Sequence, residues 1–172
     1  MSPSLDVCWP QVYRFALSLT RDRHLAEDLA QDTMTRACSR VDQLRSSAAL
    51  SSWLLRIAAN LWKDRLRRPF PPQTTVDVEL VESVSAPVDQ MSRGEEVAMT
   101  LSVMQALPDK QRAVLHLYAV EEMTVPEIAE VLDMKPATAR VHLSLARRSL
   151  RTRLPQLWEE IQRSGKPNST NE

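Results

Sequence analysis

Residues 69–94 place the strongest limit on how this chain can fold. Four prolines interrupt the stretch: Pro69, Pro71, Pro72 and Pro87. Proline breaks a helix interior, and the apolar residues here follow no helical period. Residues 71–94 also carry four acidic residues against one arginine, and a connection this long is unusual inside one compact domain. We therefore predict a flexible acidic linker at 71–94 between helical domains at 1–70 and 95–155, with a frayed tail at 156–172.

The composition predicts an all-helical, soluble protein. Two glycines occur among 172 residues, and β-branched runs are few. No apolar run reaches the length of about 18 residues that suggests a membrane span, and we expect no secretion signal. Two cysteines, Cys8 and Cys38, are too few for a disulfide framework. These features predict a cytoplasmic location.

The sequence contains no pattern typical of a catalytic or metal site. His24, His116 and His142 are scattered, no histidine or cysteine pair has ligand spacing, and no Gly-rich phosphate loop is present. We therefore predict no catalytic residue, no metal ligand and no cofactor. An enzyme is the least favoured class.

The first domain is predicted to be a bundle of three or four helices. Apolar residues recur with helical spacing over 10–20, 24–41 and 51–68, whereas the Ser-rich segment 42–52 reads as a loop. The predicted core residues are Val12, Phe15, Ala16, Leu19, Leu25, Ala26, Leu29, Ala30, Thr33, Ala37, Leu54, Ile57, Ala58 and Leu61.

The helix at 24–41 has an acidic outer side. Its members are Glu27, Asp28 and Gln31, with Asp32 at the edge. A stripe of this kind is most often a solvated surface. Its alternative role is to dock a basic partner helix.

The helix at 53–68 has a basic outer side. Residues 56–68 hold five Arg or Lys against one Asp, a net charge of +4. Opposite the apolar stripe lie Arg56, Asn60, Lys63 and Arg67. Such a face is usually only solvated, and the functional hypothesis is a polyanionic partner. A lateral strip around Trp62 either packs on a neighbouring helix or stacks on an unpaired base.

The second domain contains a helix-turn-helix pattern. Helices are predicted from Glu95 to Pro108 and over 109–120. Thr124-Val-Pro-Glu127 then has the form of a capping box that opens a short helix. A tight turn at 133–135 leads to a helix at 136–153. Two helices joined by a short turn, with the second one basic, are typical of DNA-binding units.

The helix at 136–153 carries the groups that duplex DNA requires. Residues 135–153 include six basic residues and no acid. Side chains suited to bases and phosphates are Thr138, Arg140, His142, Ser144, Arg147 and Arg148, with Arg151 beyond them. His142 is as well placed for packing as for DNA. Val141 and Leu145 lack donors and either touch thymine methyl groups or pack.

Four segments together resemble the extracytoplasmic-function (ECF, group 4) sigma factors of bacterial RNA polymerase, in the sigma-70 family. They are AEDLAQDTMTRA at 26–37, SWLLRIAANLWKDRLRR at 52–68, LPDKQRAVLHLY at 107–118 and VPEIAEVLDMKPATARVHLSLARRSLR at 125–151. They cover both helical domains in the family's order and spacing.

The resemblance implies that the first domain is sigma region 2, which docks on polymerase and captures the −10 element as separated non-template strand. Residues matching the segment that docks on the β′ clamp helices are Glu27, Asp28, Gln31 and Asp32. Residues matching the −10-binding helix are Arg56, Asn60, Lys63, Arg67 and Arg68. Taking bases out of the stack costs a few kcal/mol each, which binding of the exposed strand offsets.

The second domain resembles sigma region 4, whose recognition helix reads the −35 element as duplex. The implied function is promoter-specific initiation in complex with RNA polymerase core, through the β′ clamp helices and the β flap, with an anti-sigma factor as a further partner. The run Ala137–His142 and Leu145 depart from the family's usual residues, so the resemblance implies no particular promoter sequence. Asp133 replaces the usual turn glycine, which is tolerable because Asp accepts the left-handed region better than most residues.

The alternative function is that of a stand-alone helix-turn-helix regulator that binds duplex operators. The first domain favours the sigma factor. A regulator has no need for an acidic docking face followed by a basic helix that binds single strands.

Overall fold

The computed structural model describes residues 5–44, 46, 49–67 and 104–155. The described elements, in chain order, are a 3₁₀ turn at Leu5–Cys8, α1 (Trp9–Thr20), α2 (Arg23–Cys38), a 3₁₀ turn at Val41–Gln43, α3 (Leu50–Arg67), α4 (Asp109–Ala119), α5 (Val125–Leu132) and α6 (Pro136–Arg153). The all-helical prediction is confirmed. The predicted linker, the tail beyond residue 155, the start of the helix predicted from Glu95, and Arg68 lie outside the described residues.

Helices α1, α2 and α3 form the predicted bundle of the first domain. Asp22 begins α2, where its side chain accepts a hydrogen bond of 2.8 Å from the backbone N–H of Leu25. Helix α2 ends at Cys38, three residues before the predicted end. The backbone turns there, and the N–H of Arg40 donates to the carbonyl of Ala37 at 3.0 Å. Helix α3 begins at Leu50, inside the predicted loop, because Leu50 lies one turn before Leu54 and is buried like it.

The predicted core of the first domain is confirmed except at three positions. Leu25, Ile57 and Leu61 are half-buried rather than buried. Leu55 and Ala59 are buried on α3 instead. The buried side of α3 is therefore turned by about one residue from the predicted one, because α3 packs on both α1 and α2.

Helices α4, α5 and α6 form the second domain, and α5 and α6 form the predicted helix-turn-helix. Glu127 accepts hydrogen bonds from the backbone N–H and the hydroxyl of Thr124, at 2.7 and 2.6 Å, in the predicted capping box. These bonds hold the pKa of Glu127 below its ordinary value. Asp133 lies in the left-handed region, with φ of 52° and ψ of 58°, as predicted for the turn. Buried on α6 are Ala139, Leu143, Ala146 and Leu150.

The two domains are in contact, which the linker gave no reason to expect. Helix α1 packs against α4, and α3 packs against α5. The buried residues of both domains form a continuous apolar cluster. The described domains are therefore packed together, and the basic side of α3 lies near the helix-turn-helix.

Arg112 on α4 is the most deeply buried charge at this contact, with 2% of its surface exposed. Its Nε donates to the backbone carbonyl of Ser18, and a terminal nitrogen reaches the carbonyl of Leu19 at 3.4 Å. The other terminal nitrogen donates to the backbone carbonyl of Leu107 at 2.6 Å. The nitrogen that reaches Leu19 also donates to the carboxylate of Asp109, at 2.7 Å. Burial lowers the pKa of Arg112, and the Asp109 side chain opposes this shift. The guanidinium thus satisfies carbonyls at the C-terminal end of α1.

Glu121, just after α4, forms a second polar contact with α1. It accepts a 2.5 Å hydrogen bond from Gln11 on α1. Its other oxygen lies 3.3 Å from Nε2 of His116, off the alignment of a hydrogen bond. Burial by itself raises the pKa of Glu121, but His116, Gln11 and Arg14 together hold it below its ordinary value. Both domains therefore contribute to the stabilisation of this carboxylate.

Candidate nucleic-acid interface

Helix α6 turns one side towards its domain and the other towards solvent. The predicted DNA-binding residues that are exposed are Thr138, Arg140, Ser144 and Arg148. No acidic residue occurs on this helix. The outward side therefore offers two hydroxyls and two guanidinium groups to a polyanion.

His142 and Arg147, the other two residues predicted to bind DNA, are partly withdrawn. His142 is half-buried, and its Nδ1 is buried without a hydrogen-bond partner among the described residues, which favours the packing role. The Arg147 guanidinium lies over the ring of Tyr118, with 4.6 Å from its carbon to the ring centroid. Stacking of this kind fixes the plane of the guanidinium.

A basic groove runs along one flank of α6. It is lined by Tyr118, Val125, Arg140, Leu143, Ser144, Arg147 and Arg151. Three arginines spaced seven and four residues apart share this flank, because these spacings return to the same side of a helix. The groove can hold backbone phosphates beside the outward side of α6.

On α3, some of the predicted DNA-binding residues are exposed and one is engaged by the second domain. Arg56, Asn60 and Arg67 are exposed. Lys63 is half-buried, because its Nζ donates to the carbonyl of Leu132 at 3.0 Å and lies 3.5 Å from the carboxylate of Asp133. Lys63 is therefore engaged by the turn of the helix-turn-helix.

The acidic side of α2 is also divided. Glu27, Asp28 and Gln31 are exposed. Asp32 is exposed as well, but its carboxylate accepts a 2.6 Å hydrogen bond from Arg65 on α3. Glu27 and Asp28 thus form no ion pair within the described residues, Gln31 is uncharged, and Asp32 is paired with Arg65.

The sequence interpretation missed the residues that join the domains. Arg112 and His116 are four residues apart on α4 and face α1, where the His116 ring lies 5.6 Å from that of Phe15. The available signal was their position in residues 112–119, which contain no other charged or strongly polar side chain. Residues 112–117 are all buried, so a helix with two buried sides was the better interpretation.

The described residues show neither a metal-binding cluster nor a helix suited to a membrane. They contain no cluster of three or more potential metal ligands. None of their helices combines the length and the apolar character needed to cross a membrane.

The chain matches two family models. The model described as Sigma-70 region 2 matches residues 8–69, and the model described as Sigma-70, region 4 matches residues 98–150. The first includes α3 and the second includes the helix-turn-helix. The two basic helices therefore lie in separate family regions.

Curated relatives and a solved structure agree with these matches. The chain is 33% identical over 170 residues to the probable RNA polymerase sigma factor RfaY of Xanthomonas campestris pv. campestris, covering 95% of this chain and 42% of that protein. It is 32% identical over 145 residues to the ECF RNA polymerase sigma factor SigM of Bacillus subtilis, covering 81% and 86%. The chain thus spans less than half of the first relative and most of the second.

The fold is similar to that of the sigma factor RpoE in its co-crystal structure with the anti-sigma factor NepR from Bartonella quintana. The TM-score is 0.68 at 23% identity, covering 88% of this chain and 94% of that one. This likeness supports the fold. The region 2 and region 4 matches and the SigM relationship lead to a further conclusion: this chain belongs to the ECF sigma factors of the sigma-70 family.

Proposed function

We propose that this chain binds RNA polymerase core in the cytoplasm and directs promoter-specific initiation, without catalysis of its own. Helix α6 reads the −35 element as duplex, and α3 holds the −10 element as separated non-template strand. The observation that supports this most directly is the row of exposed hydroxyl and guanidinium donors on α6, a helix without an acid. Donors of this kind along one helix suit the major groove and its flanking phosphates.

Capture of the −10 strand requires a change at the contact between the domains. Arg56, Asn60 and Arg67 are exposed on α3 as they stand. Lys63 has to leave Asp133 and the Leu132 carbonyl before it can bind a phosphate. A partly exposed ion pair is worth about 0–1 kcal/mol, so a strand with several phosphates can displace it.

Docking on polymerase is assigned to the acidic side of α2. Glu27, Asp28 and Gln31 face solvent and fit a basic partner surface such as the β′ clamp helices. Asp32, paired with Arg65, is expected to contribute less unless that pair opens. The second domain is assigned to the β flap, and an anti-sigma factor is a further partner of the full chain.

The direct test adds the purified full chain to RNA polymerase core and a library of promoter sequences. We expect initiation at defined sites only when the chain is present. Tight duplex binding by the chain alone, with no initiation in the presence of core, would instead support the regulator alternative.

The docking assignment has a sharper test with a matched control. Asp28→Lys reverses one exposed charge on α2 and should greatly weaken association with core. Glu130→Lys makes the same change at an exposed position on α5 and should leave association with core intact. Equal weakening by both variants would contradict a docking face on α2.

A further inference from the structure

Two apolar side chains occupy the outward side of α6. Val141 is 57% exposed and Leu145 is 41% exposed. Because they are four residues apart, they lie on the same side of the helix. Neither belongs to the buried apolar cluster, so packing inside the domain does not explain them.

The surroundings of this pair are basic. Arg140 and Arg148 are exposed on the same helix, and residues 136–153 contain no acid. A surface with apolar side chains between cations suits a polyanion whose own apolar groups lie between its negative charges. The major groove has this character, since phosphates line its edges and thymine presents a methyl group at the base edge.

We propose that Val141 and Leu145 recognise thymine 5-methyl groups in the −35 element. This inference rests on the proposed function, in which α6 enters the major groove. Neither side chain can donate or accept a hydrogen bond, so the contact selects thymine through its methyl group alone. The pair thus determines part of the promoter preference of this chain.

The geometry of α6 also limits the separation of the two thymines. Four residues advance a helix by about 6 Å. Successive base pairs are about 3.4 Å apart, and a recognition helix lies in the groove at an angle to the duplex axis. The two recognised thymines are therefore within about two base-pair steps of each other, on the same strand or on opposite strands.

The test uses holoenzyme assembled from the full chain and RNA polymerase core. An active promoter is first selected from a library, and each thymine of its −35 element is then replaced singly by deoxyuridine. Deoxyuridine pairs as thymidine does but lacks the methyl group. We expect two positions at which the replacement lowers promoter affinity about fourfold, the effect of leaving one methyl group unburied.

Variants assign each thymine to a side chain. Val141→Ala should abolish the effect of deoxyuridine at one position, and Leu145→Ala should abolish it at the other. Val120→Ala removes a comparable exposed side chain outside α6 and should preserve both effects. All three positions are exposed, and thermal unfolding of each variant checks that the fold is retained.

Three results separate the outcomes. Promoter affinity that is unchanged by deoxyuridine at every −35 position overturns the inference and leaves the proposed function intact. Deoxyuridine effects that persist in both α6 variants also overturn the inference, because other residues then contact the methyl groups. That result is expected if Val141 and Leu145 bind a protein instead. Failure to initiate on any thymidine promoter refutes the proposed function itself.

Discussion

Helices α3 and α6 have the same length of 18 residues and both carry an excess of positive charge, yet they differ in how much of that charge is available. On α3, Lys63 lies beside Asp133 and Arg65 beside Asp32. On α6, Arg140 and Arg148 form no ion pair within the described ranges. The net charge of a helix therefore does not tell how strongly it can attract a polyanion, because carboxylates of other helices neutralise part of it.

The difference comes from position in the fold. Helix α3 packs against α1, α2 and α5, and a carboxylate reaches its basic side from α2 and another from the turn after α5. Helix α6 packs against α4 and α5 and turns its other side to solvent. We therefore expect α6 to bind DNA in the packed arrangement, and α3 to bind fully only when the domains separate.

The largest expected effect concerns the contact that keeps α3 near the helix-turn-helix. Arg112→Met removes a buried charge and leaves the carbonyls of Ser18 and Leu107, and the Asp109 carboxylate, without this partner. We expect the free energy of unfolding to fall by about 3–5 kcal/mol, measured by urea denaturation.

Lys110→Met is the matched control, since it makes a similar change at an exposed position on the same helix. Its effect should stay within about 0.5 kcal/mol. A loss below about 1 kcal/mol for Arg112→Met would mean that the packed arrangement does not persist in solution, and Lys63 on α3 would then be released from Asp133.

The next effect concerns duplex recognition by α6. Arg140→Ala should cost holoenzyme about 1–3 kcal/mol of affinity at the −35 element if this arginine contacts a guanine, and should relax the preference there. If it contacts a phosphate, the loss should be uniform across sequences, with a salt dependence lower by about one charge.

Arg67→Ala on α3 should impair strand opening more than duplex binding. Equal losses at both steps for both variants would contradict the division of roles.

A third effect depends on pH. The pKa of Glu121 is held below its ordinary value of 4.5, so the unfolded chain binds the proton more readily. The stabilising contribution is therefore complete above about pH 4.5 and is lost as pH falls through the folded value.

Glu121→Gln keeps the shape of this side chain and removes its charge. Its free energy of unfolding should be about 1–2 kcal/mol below that of the unmodified chain at pH 7, and the difference should shrink on acidification. Denaturation at a series of pH values measures this. A difference that does not change with pH would contradict a stabilising carboxylate at the contact between α1 and α4.

The smallest effect concerns Lys63 itself. Asp133→Asn removes the carboxylate and retains a residue that tolerates the left-handed conformation. Stability should change by at most about 1 kcal/mol, whereas binding of a single-stranded −10 oligonucleotide by the free chain should increase severalfold. Asp32→Asn releases Arg65 instead and serves as the comparison. Fluorescence anisotropy measures both, and no change for Asp133→Asn would show that the ion pair does not restrict α3.

Local physical rules were enough to predict the helices and much of the candidate interface. The capping box of Thr124 and Glu127 and the left-handed Asp133 depend on residues within a few positions of one another. The same is true of the exposed donors on α6. Local spacing failed on α3, where the buried side includes Leu55, because the neighbours of a helix and not its own period decide how wide its buried side is.

The sequence by itself therefore determined two helical domains, a helix-turn-helix and two basic helices. The tertiary structure decided that the domains are in contact, that Arg112 is buried between them, and that Lys63 forms an ion pair with Asp133. The reason is chain separation. Arg112 and Ser18 are 94 positions apart, and Lys63 and Leu132 are 69 apart, so no local period links them. Only packing of the helices brings these groups within hydrogen-bond distance.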